Sequence, residues 1–148
     1  MKYLVLTFFV AMFAAPAMAE SHVSGDAQAG KKAFRQCKSC HAVVAGNGDV
    51  LVKGGKTGPN LYAIGGRALG SDENFTRYKK GLIAAGEAGI VWEEANFLEW
   101  LADPSGYLKT ALDDPSQRSS MTFKLRKAAD GPNLWAYLDS LLQDGEGS

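Results

Sequence analysis

The amino-acid sequence predicts an all-α domain, and three segments carry that prediction. The first helix begins after Asp26, a residue type that caps helix N-termini well, and its small and apolar residues recur on one face as far as Cys37. Gly30 costs that helix about 1 kcal/mol, which indicates that another helix crosses closely there. Residues 93–102 form a second amphipathic segment, and a third follows the break at residues 130–133.

A pentapeptide at the end of the first segment, Cys37–His41, contains two thiols one helical turn apart and an imidazole directly after the second thiol. Residues at i and i+3 of a helix lie on the same face, so both thiols can reach the two vinyl groups on one edge of a porphyrin. This spacing is the attachment pattern of c-type haem. It predicts Cys37 and Cys40 as the covalent attachment points and His41 as the fifth iron ligand.

Two cysteines separated by two residues also occur in thiol redox pairs and in zinc sites. A closed zinc site would need carboxylates here, because the chain has no third cysteine and only one other histidine, His22. A thioredoxin-like protein would show strands alternating with helices around the pair, and no such alternation is visible. Haem attachment is therefore favoured over both alternatives.

The N-terminal segment has the features of a secretory signal peptide. Lys2 precedes an apolar run over residues 3–15, and small residues stand at the −3 and −1 positions of a cleavage point after Ala19. A membrane anchor, the alternative, would need about 20 apolar residues. We therefore expect residues 1–19 to be removed and residues 20–148 to form a single exported domain.

The remaining segments are predicted from their turn residues and their apolar spacing. Asn47-Gly48 lies between valine-containing stretches and predicts a small hairpin or loop over residues 42–56. In the second amphipathic segment, Phe97, Leu98 and Leu101 are expected to face inward. The sequence between Pro104 and Met121 is interpreted as a long connection.

Overall charge indicates no class of partner. The chain has 16 Lys and Arg against 16 Asp and Glu, so its formal net charge is zero at pH 7, and no nucleic-acid partner is predicted. The positions of the cations are more informative, because they flank the attachment motif and residue 121. They are Lys31, Lys32, Lys38, Lys53 and Lys56 on the first side, and Lys109, Arg118, Lys124, Arg126 and Lys127 on the second. The alternative is an ordinary surface of mixed charge.

Further motifs follow the pentapeptide in a fixed order. They read T-G-P-N-L-Y over residues 57–62, G-G-R over 65–67, W-E-E-A-N-F-L-E-W-L-A-D-P over 92–104, M-T-F-K-L over 121–125 and N-L-W-A-Y-L over 133–138. Together they resemble class I cytochromes c of the bacterial cytochrome c2 and c-550 type, over nearly all of the chain after residue 19. The resemblance implies the class I cytochrome c fold, in which the N- and C-terminal helices cross and shorter helices and loops wrap around one covalent haem c.

On the histidine side of the haem, the resemblance implies roles for several residues. The carbonyl of Pro59 would accept the N–H of His41, a contact that fixes the ring and raises its basicity. Arg67, Tyr78 and Trp92 would lie near the haem propionates, where buried carboxylates need donors. Each of these residues could instead be an ordinary structural residue.

On the other side, the resemblance indicates Met121 as the sixth ligand, and elimination supports it. Met1, Met12 and Met18 leave with the signal peptide, so Met121 is the only thioether of the mature chain. The alternative is that Met121 only fills core space beside the porphyrin. Trp100 stands where the family usually has a tyrosine beside this ligand, and an indole N–H can donate a hydrogen bond but cannot accept one.

An iron with protein ligands on both faces has no vacant position for oxygen or substrate, so its natural task is one-electron transfer. The resemblance implies a monomeric periplasmic carrier rather than an enzyme, which docks through a basic ring around the haem edge. Its donor would be a quinol-oxidising cytochrome bc complex, and its acceptor a photosynthetic reaction centre, a terminal cytochrome oxidase or both. Two alternatives stay open: an enzyme with a labile sixth ligand, and a dedicated partner subunit such as the acceptor of a periplasmic dehydrogenase.

Overall fold

The computed structural model describes residues 24–146, so the expected signal peptide and His22 lie outside the described residues. The helices are α1 (Ala27–Ala33), α2 (Lys80–Glu87), α3 (Glu94–Ala102), α4 (Pro104–Ala111) and α5 (Asp130–Glu146), and the strands are β1 (Val43–Val44) and β2 (Val50–Val52). The predicted all-α class is confirmed. Between residues 24 and 146 no helix has both the length and the apolar character needed to cross a bilayer.

Helices α1 and α5 cross where Gly30 allows a close approach. The Asp26 side chain caps α1, as predicted, by accepting from two backbone N–H groups of its first turn. A Cβ at Gly30 would lie 1.8 Å from the carbonyl oxygen of Asn133 in α5. Next to this contact, the rings of Phe34 and Tyr137 meet edge to face with their centroids 5.5 Å apart. The expected helix crossing at Gly30 is therefore confirmed.

The attachment motif forms a turn and not a helix, which corrects the sequence-based expectation. Helix α1 ends at Ala33, and a short 3-10 turn, Phe34–Gln36, leads into the motif. The backbone N–H groups of Cys40 and His41 both donate to the carbonyl of Cys37, at 3.1 and 2.9 Å. The thiols and the imidazole therefore still come from one turn of backbone.

The turn of the attachment motif is held by backbone groups of the loop that follows it. The N–H of Gly55 donates to the carbonyl of Lys38, and the N–H of Gly58 donates to that of Cys40, both at 2.8 Å. The loop that contains these glycines follows the predicted small hairpin, which is confirmed as the antiparallel pair of β1 and β2. The turn between β1 and β2 contains Gly48 at φ +93°, a conformation that favours glycine.

Helices α3 and α4 meet at a corner formed by Asp103. Phe97 and Leu101 of α3 face the core, as predicted. Asp103 ends α3, and its carboxylate accepts from the N–H of Gly106 at 3.1 Å, which caps α4, with Pro104 in the first turn. The sequence after Pro104 was interpreted as a connection, and that interpretation is wrong for its first half, which is α4.

Candidate haem site

One cavity of about 410 Å³ lies between the attachment motif and the segment around residue 121, a size typical of a small-molecule or cofactor site. Cys37, Cys40, His41 and Met121 all line it, although the sequence separates the first three widely from the fourth. The remaining lining is mainly apolar, with the side chains of Leu61, Ile64, Phe75, Leu82, Trp92, Phe97, Trp100, Leu101 and Phe123. The fold thus brings the predicted iron ligands and attachment points to a single cavity.

His41 is held as a neutral imidazole whose orientation is fixed. Its Nδ1 lies 2.8 Å from the carbonyl oxygen of Pro59, and since a carbonyl only accepts, Nδ1 must carry the hydrogen. Burial lowers the pKa of His41, and the bond to Pro59 opposes that shift. This tautomer leaves a free lone pair on Nε2, the form in which histidine binds a metal.

The backbone of Gly58 packs directly against the His41 ring. A Cβ at position 58 would lie 2.3 Å from Cε1 of His41, closer than any side chain can approach. Gly54 is equally close to the motif, because a Cβ there would lie 1.8 Å from the His41 carbonyl oxygen. Any residue larger than glycine at position 58 would therefore displace the His41 ring.

The two cysteines have different surroundings. Cys37 is half-buried, and burial, followed by the neighbouring Cys40, raises its pKa to about 11. Cys40 is exposed, and hydrogen bonds from Thr57 and then Ser39 lower its pKa. In the part of the chain that the structure describes, no three His, Cys, Asp or Glu side chains cluster as a metal site would require, so the geometry gives no support to the zinc alternative.

Trp100 provides a donor to the sulfur of Met121. Its Nε1 lies 3.2 Å from Met121 Sδ, and the indole is 7% exposed. Trp100 also packs edge to face against Trp92, with ring centroids 5.5 Å apart. The residue that replaces the family's usual tyrosine thus contacts the expected ligand through the one hydrogen bond that an indole can make.

The three residues expected near the propionates all line the cavity, and a fourth joins them. Arg67 donates to the backbone carbonyls of residues 60 and 62, at 2.8 and 3.3 Å. Tyr78 is half-buried, and burial raises its pKa while the positive charge of Arg67 opposes the rise. Trp92 is buried. The fourth residue, Arg77, was missed, because only the folded chain brings it to the cavity.

Arg77 is held at the rim of the cavity by two contacts. Its guanidinium lies over the ring of Phe75, 5.2 Å from the centroid, and donates to the backbone carbonyl of Lys56. The cavity lining described by the structure includes both Arg67 and Arg77 but no Asp or Glu. A cavity with two guanidinium groups and no carboxylate fits an apolar group that carries carboxylates of its own.

The donor set fits haem c. A neutral histidine nitrogen and a thioether are ligands suited to haem iron, the two thiols are spaced for thioether attachment, and the arginines match propionate groups. The residues that would hold the group are Cys37, Cys40, His41 and Met121.

Known proteins match the chain over most of its length. It is 46% identical over 140 residues to cytochrome c-551 of Roseobacter denitrificans, covering 95% of each chain, and 42% identical over 134 residues to cytochrome c2 of Cereibacter sphaeroides. The chain belongs to the bacterial cytochrome c2 family. A crystal structure of cytochrome c2 from Rhodobacter sphaeroides superposes with a TM-score of 0.77 at 42% identity, over 79% of this chain and 96% of that one.

A scan against protein-family profiles finds no match. Membership of the cytochrome c2 family rests on the relatives and on their structures, which share the class I cytochrome c fold. Proteins of this family transfer electrons by means of haem c and are not enzymes. The chain is accordingly an electron carrier, which removes the alternative of a haem enzyme.

Proposed function

We propose that this chain is a periplasmic one-electron carrier with a single covalent haem c, ligated by His41 and Met121. Residues 1–19 act as the signal peptide, and residues 20–148 form one domain that works as a monomer. The observation that supports the proposal most strongly is that one cavity is lined by both thiols, by His41 as a neutral imidazole, and by Met121. Bound haem would supply a one-electron couple, with His41 and Met121 as the residues that would hold its iron.

The protein residues set the conditions for that couple. His41 is oriented by Pro59, and Met121 receives a hydrogen bond from Trp100. A thioether is a soft neutral donor that favours reduced iron, so His/Met ligation gives a high potential suited to a carrier downstream of quinol. The apolar lining excludes water, and Arg67 and Arg77 compensate carboxylate charge at the cavity.

The proposed donor is a membrane cytochrome bc complex, and the proposed acceptor is a photosynthetic reaction centre, a cytochrome oxidase or both. Family membership and the exposed lysines near the attachment motif support this proposal. Lys31, Lys32, Lys38, Lys53 and Lys56 are all exposed. A positive surface around the site of electron transfer would steer the carrier to acidic partners. Isolation of the native protein in a stable stoichiometric complex would instead indicate a dedicated partner subunit.

Two measurements on the purified holoprotein test the proposal. Acid-acetone extraction should leave the haem on the polypeptide, because thioethers survive it; colour in the organic phase would contradict covalent attachment. The oxidised protein should show the weak sulfur-to-iron band near the red end of its spectrum, and Met121→Ala should abolish that band and lower the reduction potential. An unchanged spectrum and potential in that variant would show that Met121 is not a ligand.

A further inference from the structure

Met121 lies in a segment with little backbone support of its own. Helix α4 ends at Ala111 and α5 begins at Asp130, and no strand lies between them. Within residues 24–146, no backbone-to-backbone hydrogen bond outside the helices and strands involves residues 118–124. The position of Met121 must therefore depend on contacts that this segment makes with other parts of the chain.

Those contacts come from the corner between α3 and α4. After Met121, Lys124 pairs with Asp103 at 2.9 Å, and the N–H of Leu125 donates to the carbonyl of Leu101 at 2.7 Å. The Lys124–Asp103 pair is largely exposed, with 57% and 48% of the two side chains accessible, so it contributes little. The backbone bond of Leu125 is the stronger anchor, and side-chain substitution cannot remove it.

Before Met121, two serines form a relay that connects the segment to α4. The hydroxyl oxygen of Ser105, in the first turn of α4, accepts from the backbone N–H of Ser119 at 3.0 Å. The hydroxyl oxygen of Ser119 then accepts from the N–H of Met121, also at 3.0 Å. Both bonds are partly buried, which makes their loss more costly than that of an exposed pair.

We propose that Ser105 and Ser119 are positioning residues that hold Met121 on the iron. This inference rests on the proposed ligation by Met121. The segment that contains Met121 is held on its C-terminal side by the backbone bond of Leu125, and the serine relay holds it on its N-terminal side. Breaking the relay would let the segment open on the side of residues 117–121, so that the sulfur leaves the iron more often.

Imidazole binding to the ferric holoprotein measures that opening. An added imidazole can bind the iron only when the iron–sulfur bond has broken, so at saturating imidazole the binding rate reports how often Met121 leaves. Each hydrogen bond in the relay is worth roughly 0.5–1.5 kcal/mol, equivalent to about a two- to tenfold change. Ser105→Ala and Ser119→Ala should each accelerate binding by about that factor.

The control is Ser116→Ala, because Ser116 lies in the same loop but bonds only to Asp114 in the contacts described. It should bind imidazole at the wild-type rate. Because the two bonds act in series, the double variant should be little faster than the faster single variant. Single variants no faster than Ser116→Ala would overturn the proposal, and a double variant equal to the product of the singles would overturn the serial relay.

The sulfur-to-iron band separates the two ways of failing. If the wild-type protein lacks the band, Met121 is not the ligand and the proposed ligation fails. If the band is present and the imidazole rates do not change, the ligation stands and the relay has no positioning role. An increased rate with the band retained in both serine variants supports the relay, since the ligand is then intact but less firmly held.

Discussion

The two sides of the haem cavity are fixed by different kinds of contact. On the histidine side, backbone groups make the contacts: Gly58 donates to Cys40, Pro59 accepts from His41, and no side chain fits between Gly58 and the ring. On the methionine side, side chains make nearly all of them, through serine hydroxyls, an indole and an exposed ion pair.

The difference has consequences for substitution. Backbone contacts do not depend on which side chain a residue carries, but they fail when a glycine is replaced where backbone and ring touch. Side-chain contacts can be removed one at a time, each at a moderate cost. Single substitutions on the histidine side should therefore either have no effect or disrupt the packing around His41. Single substitutions on the methionine side should weaken the contacts of Met121 by moderate steps. Four predictions test this contrast, from the largest expected effect to the smallest.

Gly58→Ala should be the most damaging of these changes. The new Cβ would lie 2.3 Å from Cε1 of His41, so either the ring or the loop must move. We expect the free energy of unfolding of the holoprotein to fall by about 1–3 kcal/mol, measured by guanidinium titration. Gly46→Ala is the matched control, because its Cβ would meet no atom within 4 Å. Equal midpoints for the two variants would show that the ring is not tightly packed.

Trp100→Phe removes the donor to the Met121 sulfur and should lower the reduction potential. If Met121 binds the iron as proposed, its sulfur would donate more strongly to iron without the N–H, which favours the oxidised state. A hydrogen bond of about 0.5–1.5 kcal/mol corresponds to roughly 20–60 mV for one electron. The sulfur-to-iron band should also move.

Trp135→Phe is the control for this variant, because the Trp135 ring packs on Phe97, with centroids 5.2 Å apart, and no contact with Met121 is described. Both substitutions shrink an aromatic side chain near the core, so a purely structural effect would change the potential in both. A shift of equal size in the two variants would exclude a specific role of the indole N–H.

Charge reversals on the two sides should reveal which side faces the redox partner. Lys38 lies within the attachment motif and Arg126 lies beyond the methionine, and both are exposed. Lys38→Glu and Arg126→Glu should each slow the second-order reaction with an acidic redox partner by about two- to tenfold at low salt. The difference in rate between each variant and the wild type should shrink as added salt shortens the Debye length to about 8 Å. Rates that do not depend on salt would contradict electrostatic steering.

Asp103→Asn should have the smallest effect, and the effect should depend on pH. The hydrogen bond from Lys124, followed by that from the Gly106 N–H, holds the pKa of Asp103 below its ordinary value of 3.8. A carboxyl whose pKa is lower in the folded state stabilises the protein above the unfolded-state pKa, and this contribution disappears as the pH falls through the folded-state pKa.

The stability difference between wild type and Asp103→Asn should therefore be present at pH 7 and shrink progressively below about pH 4. Urea unfolding of the holoproteins across that range measures it. The difference should be small because the pair is exposed to solvent. A difference that stays constant from neutral to acid pH would exclude the charge of Asp103 as its cause.

The sequence predicted the elements whose signals are local. Asp26 caps a helix through neighbouring backbone N–H groups, whatever the rest of the fold is. The spacing of Cys37 and Cys40 is likewise a property of the sequence alone. Helix α4 also had a local signal, the pair Asp103-Pro104 in the N-cap and first positions, but the surrounding loop residues concealed it. Helix α2 had no such signal, since its N-cap residue, Lys79, makes no side-chain capping bond.

Contacts between distant residues that belong to no recognisable motif could not be predicted. Arg77 joins the cavity only because Phe75 and the Lys56 carbonyl hold it at the rim. The Ser105–Ser119 bond likewise joins a serine of α4 to a serine of the segment that follows it, and neither belongs to a motif. Sequence motifs therefore identified the groups expected to bind iron, while the residues that support those groups became visible only in the folded structure.

The close crossing at Gly30 means that the domain closes only when α5 packs on α1. The Asp26 backbone N–H donates to the Asn133 side chain across 107 positions, so the contact between α1 and α5 encloses most of the domain. A chain that emerges N-terminus first exposes both cysteines long before α5 exists. The proposed covalent attachment of haem could therefore take place on an open chain, and α5 would then close the domain over the attached group.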